Sequence, residues 1–132
     1  MTRVVVPVRY PLSKHSKRTL SAAIDVASEE GAELTVLHVD LYQRGRTVTR
    51  RDLREDVEAE LGRLQRARYA IRDGFLVEET ILEEVAQEDA DVVVIGHRQA
   101  GRFRRVLRRV FDGPDVEKYL RQKLDCEVVT VD

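Results

Sequence analysis

Three short runs of branched apolar residues constrain the fold of this chain more than anything else in it. They are Val4-Val5-Val6-Pro7-Val8, Leu34-Thr35-Val36-Leu37-His38-Val39 and Asp91-Val92-Val93-Val94-Ile95. None shows the strict apolar/polar alternation of a strand with one wet face. Continuous apolar runs of this length fit strands covered on both faces, which is the habit of parallel sheets. Pro7 stands near the end of its run, where a missing N–H is tolerated.

The segments between these runs carry helical spacing. Leu20, Ala23, Ile24 and Ala27 mark a first helix, with Ser13 or Ser16 as N-cap and Gly31 just past its end. Residues 41–48 form a polar, arginine-bearing loop. Thr49 or Asp52 opens a second helix that buries Leu53, Val57, Leu61 and Leu64. Ala67, Tyr69 and Ile71 alternate with Arg68, Ala70 and Arg72, which predicts a half-exposed strand near a sheet edge, closed by a turn at Asp73-Gly74. A third helix is expected over 75–89, burying Leu76, Ile81, Leu82, Val85 and Ala86. Its paired acids, Glu78-Glu79 and Glu83-Glu84, are expected on the solvated side. Phe103, Val106, Leu107 and Val110 predict a helix over 102–111, and 114–123 another, with Pro114 suited to its first turn. Glu127–Val131 is the fifth strand.

Strands and helices therefore alternate along all 132 residues. The expectation is a single α/β domain over 1–132, a three-layer sandwich with a five-stranded parallel sheet. In such sheets ligands bind beyond the C-terminal ends of the strands, at the point where strand order reverses. That rule gathers Pro7, Val8 and Arg9, His38 and Val39, and the stretch Gly96–Gly101 around one crevice. Gly96-His97-Arg98-Gln99-Ala100-Gly101 follows a buried strand, as phosphate-holding loops do.

Charge limits the choice of partner. Charged residues make up 36% of the chain, yet the formal net charge is −1, so a general polyanion partner is not implied. The charge is sorted into blocks. Eight acids and no base lie between Asp73 and Asp91, six arginines and no acid between Arg98 and Arg109, and five arginines with one acid between Arg44 and Arg54. The simplest reading of each block is a solvated face; an anion or an acidic partner is the functional one. Nucleic acid is disfavoured, because Phe103 is the only aromatic in the longer arginine block and its spacing places it in the core. A single cysteine, Cys126, excludes an internal disulfide and is expected in the core. The first residues enter a strand rather than a leader, and no apolar run is long enough to span a bilayer. The expected location is the cytoplasm. No Cys/His cluster suggests a metal, and no nucleophile with a base can be assembled, so no catalytic residue is assigned. His38 is expected to be structural, and His97 is either a phosphate contact or a plain loop residue.

Several of these pieces together resemble the universal stress protein family over nearly the whole chain. They are Val4–Val8, Gly31–Val39, Gly74–Leu82, Ala90–Gly96, Val116–Leu120 and Cys126 before the last strand. The resemblance implies an adenine-nucleotide-binding type of α/β fold, often dimeric through the last strand, here Val128–Val131. One branch of the family binds ATP through G-x-x-G-x9-G-[S/T], with an Asp after the Pro-Val of strand one; another branch does not. Here Arg9 takes the place of that Asp. Gly96 matches the first glycine, Gln99 replaces the second, and Gly113 matches the third with Pro114 in the Ser/Thr place. Thirteen residues separate Gln99 from Gly113. Gly101 offers a shifted loop glycine, flanked by Arg98 and Arg102.

Physical considerations bear on the same positions. Pro114 has no N–H for a phosphate, and Asp112 and Asp115 bring carboxylates to the helix start it opens. Arginines beside the loop act the other way, since guanidinium groups suit phosphate. The function expected is a stress-type regulatory protein that acts by binding, with a diverged nucleotide site. The alternatives are an ATP-binding stress protein with slow or no hydrolysis, and an adaptor that holds an acidic partner or nucleic acid on the Arg98–Arg109 face. ATP is the one cofactor considered, and a homodimer and an anionic small ligand or acidic protein are the partners.

Overall fold

A computed structural model describes residues 2–44, 47–102, 105 and 126–132. Five strands, β1 (Arg3–Pro7), β2 (Glu33–Leu41), β3 (Ala67–Gly74), β4 (Val92–Gly96) and β5 (Glu127–Val131), form one sheet. Every pairing is parallel and the order is β3-β2-β1-β4-β5. The chain starts in the middle, builds outward to β3, then returns to the far side of β1. The strand order thus reverses between β1 and β4, which is the switch point of an open α/β sheet.

Helices α1 (Lys14–Glu30), α2 (Arg50–Leu61) and α3 (Val77–Gln87) cover the sheet. On one face, Val4, Val6, Leu34, Val36, Val92 and Val94 pack with Leu20, Ala23 and Ala27 of α1 and Leu53 and Val57 of α2. On the other, Val5, Leu37, Val39, Ala70, Val93 and Ile95 pack with Ile81 and Val85 of α3, with Ala100 and with Cys126. Burial on both parities is why β1, β2 and β4 lack alternation. Each large side chain buried here contributes ~1.5–3 kcal/mol relative to exposure. This is the three-layer α/β sandwich expected from the element order.

The caps follow local chemistry. Ser13 is the N-cap of α1, its hydroxyl accepting from Ser16 N at 3.1 Å, and Gly31 closes the helix at φ 61°. Thr49 caps α2 in a reciprocal box. Asp52 N donates to Thr49 Oγ1 at 3.1 Å, and Thr49 N donates to Asp52 Oδ2 at 3.0 Å.

Several expected boundaries move. β2 runs on through Asp40 and Leu41, and β3 through Asp73 and Gly74, because the two strands stay in register as far as Leu41 beside Gly74. The Asp-Gly pair is therefore the end of a strand rather than a turn. Within β3 the deepest residue is Ala70, while Tyr69 and Ile71 are half-buried. α2 ends at Leu61, which leaves Leu61 and Leu64 half-buried. α3 is shorter than expected. Phe75 and Leu76 precede it and are exposed, and Ala86 faces solvent.

Glu78, Glu84 and Glu88 are buried rather than solvated; only Glu79 and Glu83 of the paired acids face out. Buried acids need partners. Glu84 takes Arg72 Nε at 3.1 Å. Glu88 takes Arg68 Nη2 at 2.9 Å and the Thr35 hydroxyl at 2.8 Å. The greater part of the helix expected over 102–111, the helix expected over 114–123, Gly113, Pro114 and three arginines of the block, Arg104, Arg108 and Arg109, lie outside the described residues.

Candidate functional site: the switch-point crevice

The C-terminal ends of β2, β1 and β4 lie side by side, and the backbone there is held by side chains from behind. Val8 N donates to Leu37 O at 2.8 Å, which carries the β1–β2 ladder one residue past the strand. His38, 7% exposed, donates a ring N–H to Val8 O at 3.0 Å. Its ring also meets that of Tyr10 edge-on, with centroids 6.2 Å apart. Arg9 N donates to the Ser16 hydroxyl at 2.9 Å, tying the turn after β1 to the first turn of α1. Pro7, Val8 and Arg9 are thereby fixed, with Val8 buried and Arg9 exposed. His38 has the structural task assigned to it. Ser16, offered with Ser13 as the N-cap of α1, instead holds Arg9 N, a role that sequence spacing alone did not supply.

Val39 is buried in β2 beside this turn. One residue on, Asp40 is also buried, and its carboxylate accepts from Val48 N at 3.0 Å. The loop after β2 is thus anchored before α2 begins. At the start of that loop, the exposed rings of Tyr42 and Phe75 lie 4.7 Å apart with their planes tilted by 52°, and Gln43 Nε2 donates to Phe75 O at 3.1 Å.

β4 ends differently from the expected glycine loop. Gly96 closes the strand, and residues 97–102 are already helical. The residues His97-Arg98-Gln99-Ala100 contain no helix breaker, and Ala100 is 7% exposed in the core under α3. Burial of that alanine favours the helix over an open loop, and Gly101 is accommodated inside it at a cost of about 1 kcal/mol. Gln99 Nε2 donates to Glu78 Oε1 at 3.0 Å, joining this helical segment to the first turn of α3. Gly96 lies against α1, where a Cβ would sit 3.5 Å from Thr19 Oγ1.

The exposed side chains here are mostly basic: Arg9, His97, Arg98, Arg102 and, further along, Arg105. His97 has one acid at the limit of ion-pair distance, Asp132 Oδ1 at 4.0 Å. Pro7, Val8, Arg9, Val39, Gly96 and His97 thus stand at the ends of three adjacent strands. Arg98, Gln99, Gly101 and Arg102 follow on the helical segment, with Gln99 turned to Glu78. Among the described residues no group of three or more His, Cys, Asp or Glu side chains could hold a metal. Among them, too, no helix is long and apolar enough to cross a membrane.

Known structures share this architecture. A universal stress protein from Archaeoglobus fulgidus superposes with a TM-score of 0.62 at 18% identity, covering 100% of this chain and 99% of that one. The structure of the A. fulgidus protein in complex with dAMP gives 0.61 at 20%, covering 100% and 98%. A universal stress protein in complex with cAMP gives 0.57 at 16%, covering 97% and 96%. No curated protein sequence is matched. The model of the universal stress protein family matches residues 1–132, and the chain belongs to that family.

Proposed function

We propose that this chain is a regulatory binding protein of the cytoplasm whose switch-point crevice no longer holds ATP in the G-x-x-G-x9-G-[S/T] manner. The carrying observation is the helical segment 97–102, with Gln99 bonded to Glu78 where an open glycine backbone would be required. Arg9 in the place of the binding branch's aspartate supports the same reading. What remains suits a smaller anion: Arg9, His97, Arg98 and Arg102 are exposed at the ends of β1 and β4. The protein would act by binding rather than chemistry, its ligand or an acidic partner on the arginine face biasing an assembly made through β5.

Titration calorimetry tests this. Mg-ATP is expected to show no binding tighter than ~1 mM; sub-millimolar binding overturns the reading in favour of a functional ATP site.

A second reading has specific support. Relatives with this fold were solved with cAMP and with dAMP, both adenine monophosphates. A single phosphate needs fewer backbone donors than a triphosphate, and Arg9 with Arg98 could supply its countercharge. Binding of AMP or cAMP that is lost in Arg9→Ala would establish this second reading.

A further inference from the structure

Among the described residues β3 is the outermost strand on its side of the sheet, with β2 along its inner edge. An edge strand presents a row of N–H and C=O groups that another strand can pair. A cavity of about 520 Å³ runs beside β3, lined by Val48–Arg50 and by Arg68–Arg72. That size is within the range of ligand clefts, ~300–1,000 Å³. The lining holds three arginines, Arg50, Arg68 and Arg72, and no acid.

The arginines are held in place from below. Arg68 meets the buried Glu88 at 2.9 Å and Arg72 the buried Glu84 at 3.0 Å, yet their side chains remain 56% and 44% exposed. Arg72 also donates Nη1 to Ile71 O at 3.0 Å, yet each guanidinium carries five N–H groups, and these partners do not exhaust it. Arg50, the first residue of α2, forms no ion pair among the described residues and closes the opposite wall.

We propose that the open edge of β3 docks an extended acidic peptide, which adds to the sheet as a further strand. The backbone edge supplies main-chain pairing, and the arginines select for acid. Arg68 and Arg72 lie on one face of β3, four residues apart, a span of ~13 Å at 3.3 Å per residue. The matching segment carries carboxylates at two positions four residues apart, so that each guanidinium bridges a buried and an incoming carboxylate. A nucleic acid has no use for the strand's row of N–H and C=O groups. Arginines that merely guarded the edge against aggregation would hold off peptide as well. This surface lies apart from the switch-point crevice, and the inference does not depend on that site's ligand.

The test is a titration of isotope-labelled protein with a nine-residue peptide of alternating valine and threonine, glutamate replacing its third and seventh residues. Saturable binding is expected, with amide shifts concentrated in 48–50 and 68–72. Arg50→Glu is expected to weaken it about tenfold. Arg50→Gln, which spares the start of α2 a new charge, weakens it less. A peptide of the same composition with its two glutamates adjacent should bind about tenfold more weakly. Absence of saturation at ~1 mM overturns the proposal. So do equal binding of the two peptides, shifts centred on β5 or the crevice, and tighter binding of an oligothymidylate with the same sensitivity to Arg50.

Discussion

Glu84, 2% exposed, is held by α3 over β3, where its one ion pair among the described residues is with Arg72. Its Oε1 accepts from Arg72 Nε, while Oε2, 3.0 Å from the same nitrogen, has no well-aligned donor. Burial pushes its carboxyl above the ordinary 4.5; Arg72 pulls it back and the neighbouring Glu88 pushes it further up. The direction says that desolvation outweighs the ion pair. With the folded value raised, folding favours the protonated form over the charged one relative to the unfolded chain. Its contribution to stability is complete below the unfolded value and is lost as pH rises through the folded one. Glu84→Gln keeps a group that can bond Arg72 and removes the charge. Its Tm relative to the parent chain is therefore expected to climb as pH is raised from about 4.5 to 8. A gap that stays flat, or that turns in favour of the glutamate at higher pH, would show that the pair wins over desolvation. The sequence did not disclose this residue. Glu83-Glu84 looks like any acidic pair on a helix surface, and only the register of α3 over β3 brings Glu84 and Glu88 above Arg72 and Arg68. Four residues span ~6 Å on a helix and ~13 Å on a strand. No spacing rule within one element could have matched them.

At the scale of elements, the junction from β3 to α3 shows where local signals mislead. Asp73-Gly74 has turn chemistry, yet both residues pair with the end of β2. The glycine is there for space: a Cβ on Gly74 would run into Thr80 Oγ1 in the first turn of α3. That hydroxyl is itself committed, donating to Leu76 O at 2.8 Å. Gly74→Ala is expected to cost about 1–3 kcal/mol through overpacking. Thr80→Ala alone forfeits a hydrogen bond worth ~1 kcal/mol. The double variant should be more stable than the sum of the two by about 1 kcal/mol or more, since removing Oγ1 vacates the space the new methyl needs. Strictly additive losses in denaturant melts would mean that strain at Gly74 has another source. The same excess trust in glycine explains the helical segment after β4. Gly96 and Gly101 suggested a loop, whereas the burial of Ala100 between them decides for helix. Strands β1, β2 and β4 were legible because double-sided burial leaves an unbroken apolar run, which no neighbour can mask. Ends and junctions depend on pairing with strands distant in sequence, and a pass along the chain does not see them.

For the whole molecule, the two edges of the sheet have opposite characters, and this bears on how copies assemble. β3 carries Arg68 and Arg72 beside Arg50, so two copies meeting at this edge would set arginine against arginine. β5 offers Val128, Val129 and Val131, half-buried, with Glu127 and Thr130 exposed and, among the described residues, no strand on its outer side. An apolar edge of that kind is a hazard unless paired. A two-fold axis beside β5 would join two five-stranded sheets antiparallel, strand to strand, and cover it. Light scattering at micromolar concentration is then expected to give twice the 15.2 kDa of one chain. Slow amide exchange should extend over 127–131 and fade on dilution. Thr130→Lys places a charge close to its own copy across the axis, where like charges oppose pairing, and should shift the population toward monomer without loss of fold. A single-chain mass for the parent protein sinks the dimer. A doubled mass that ignores Thr130→Lys, with protection along 67–74 instead, would move the interface to β3 and leave that edge no room for a peptide.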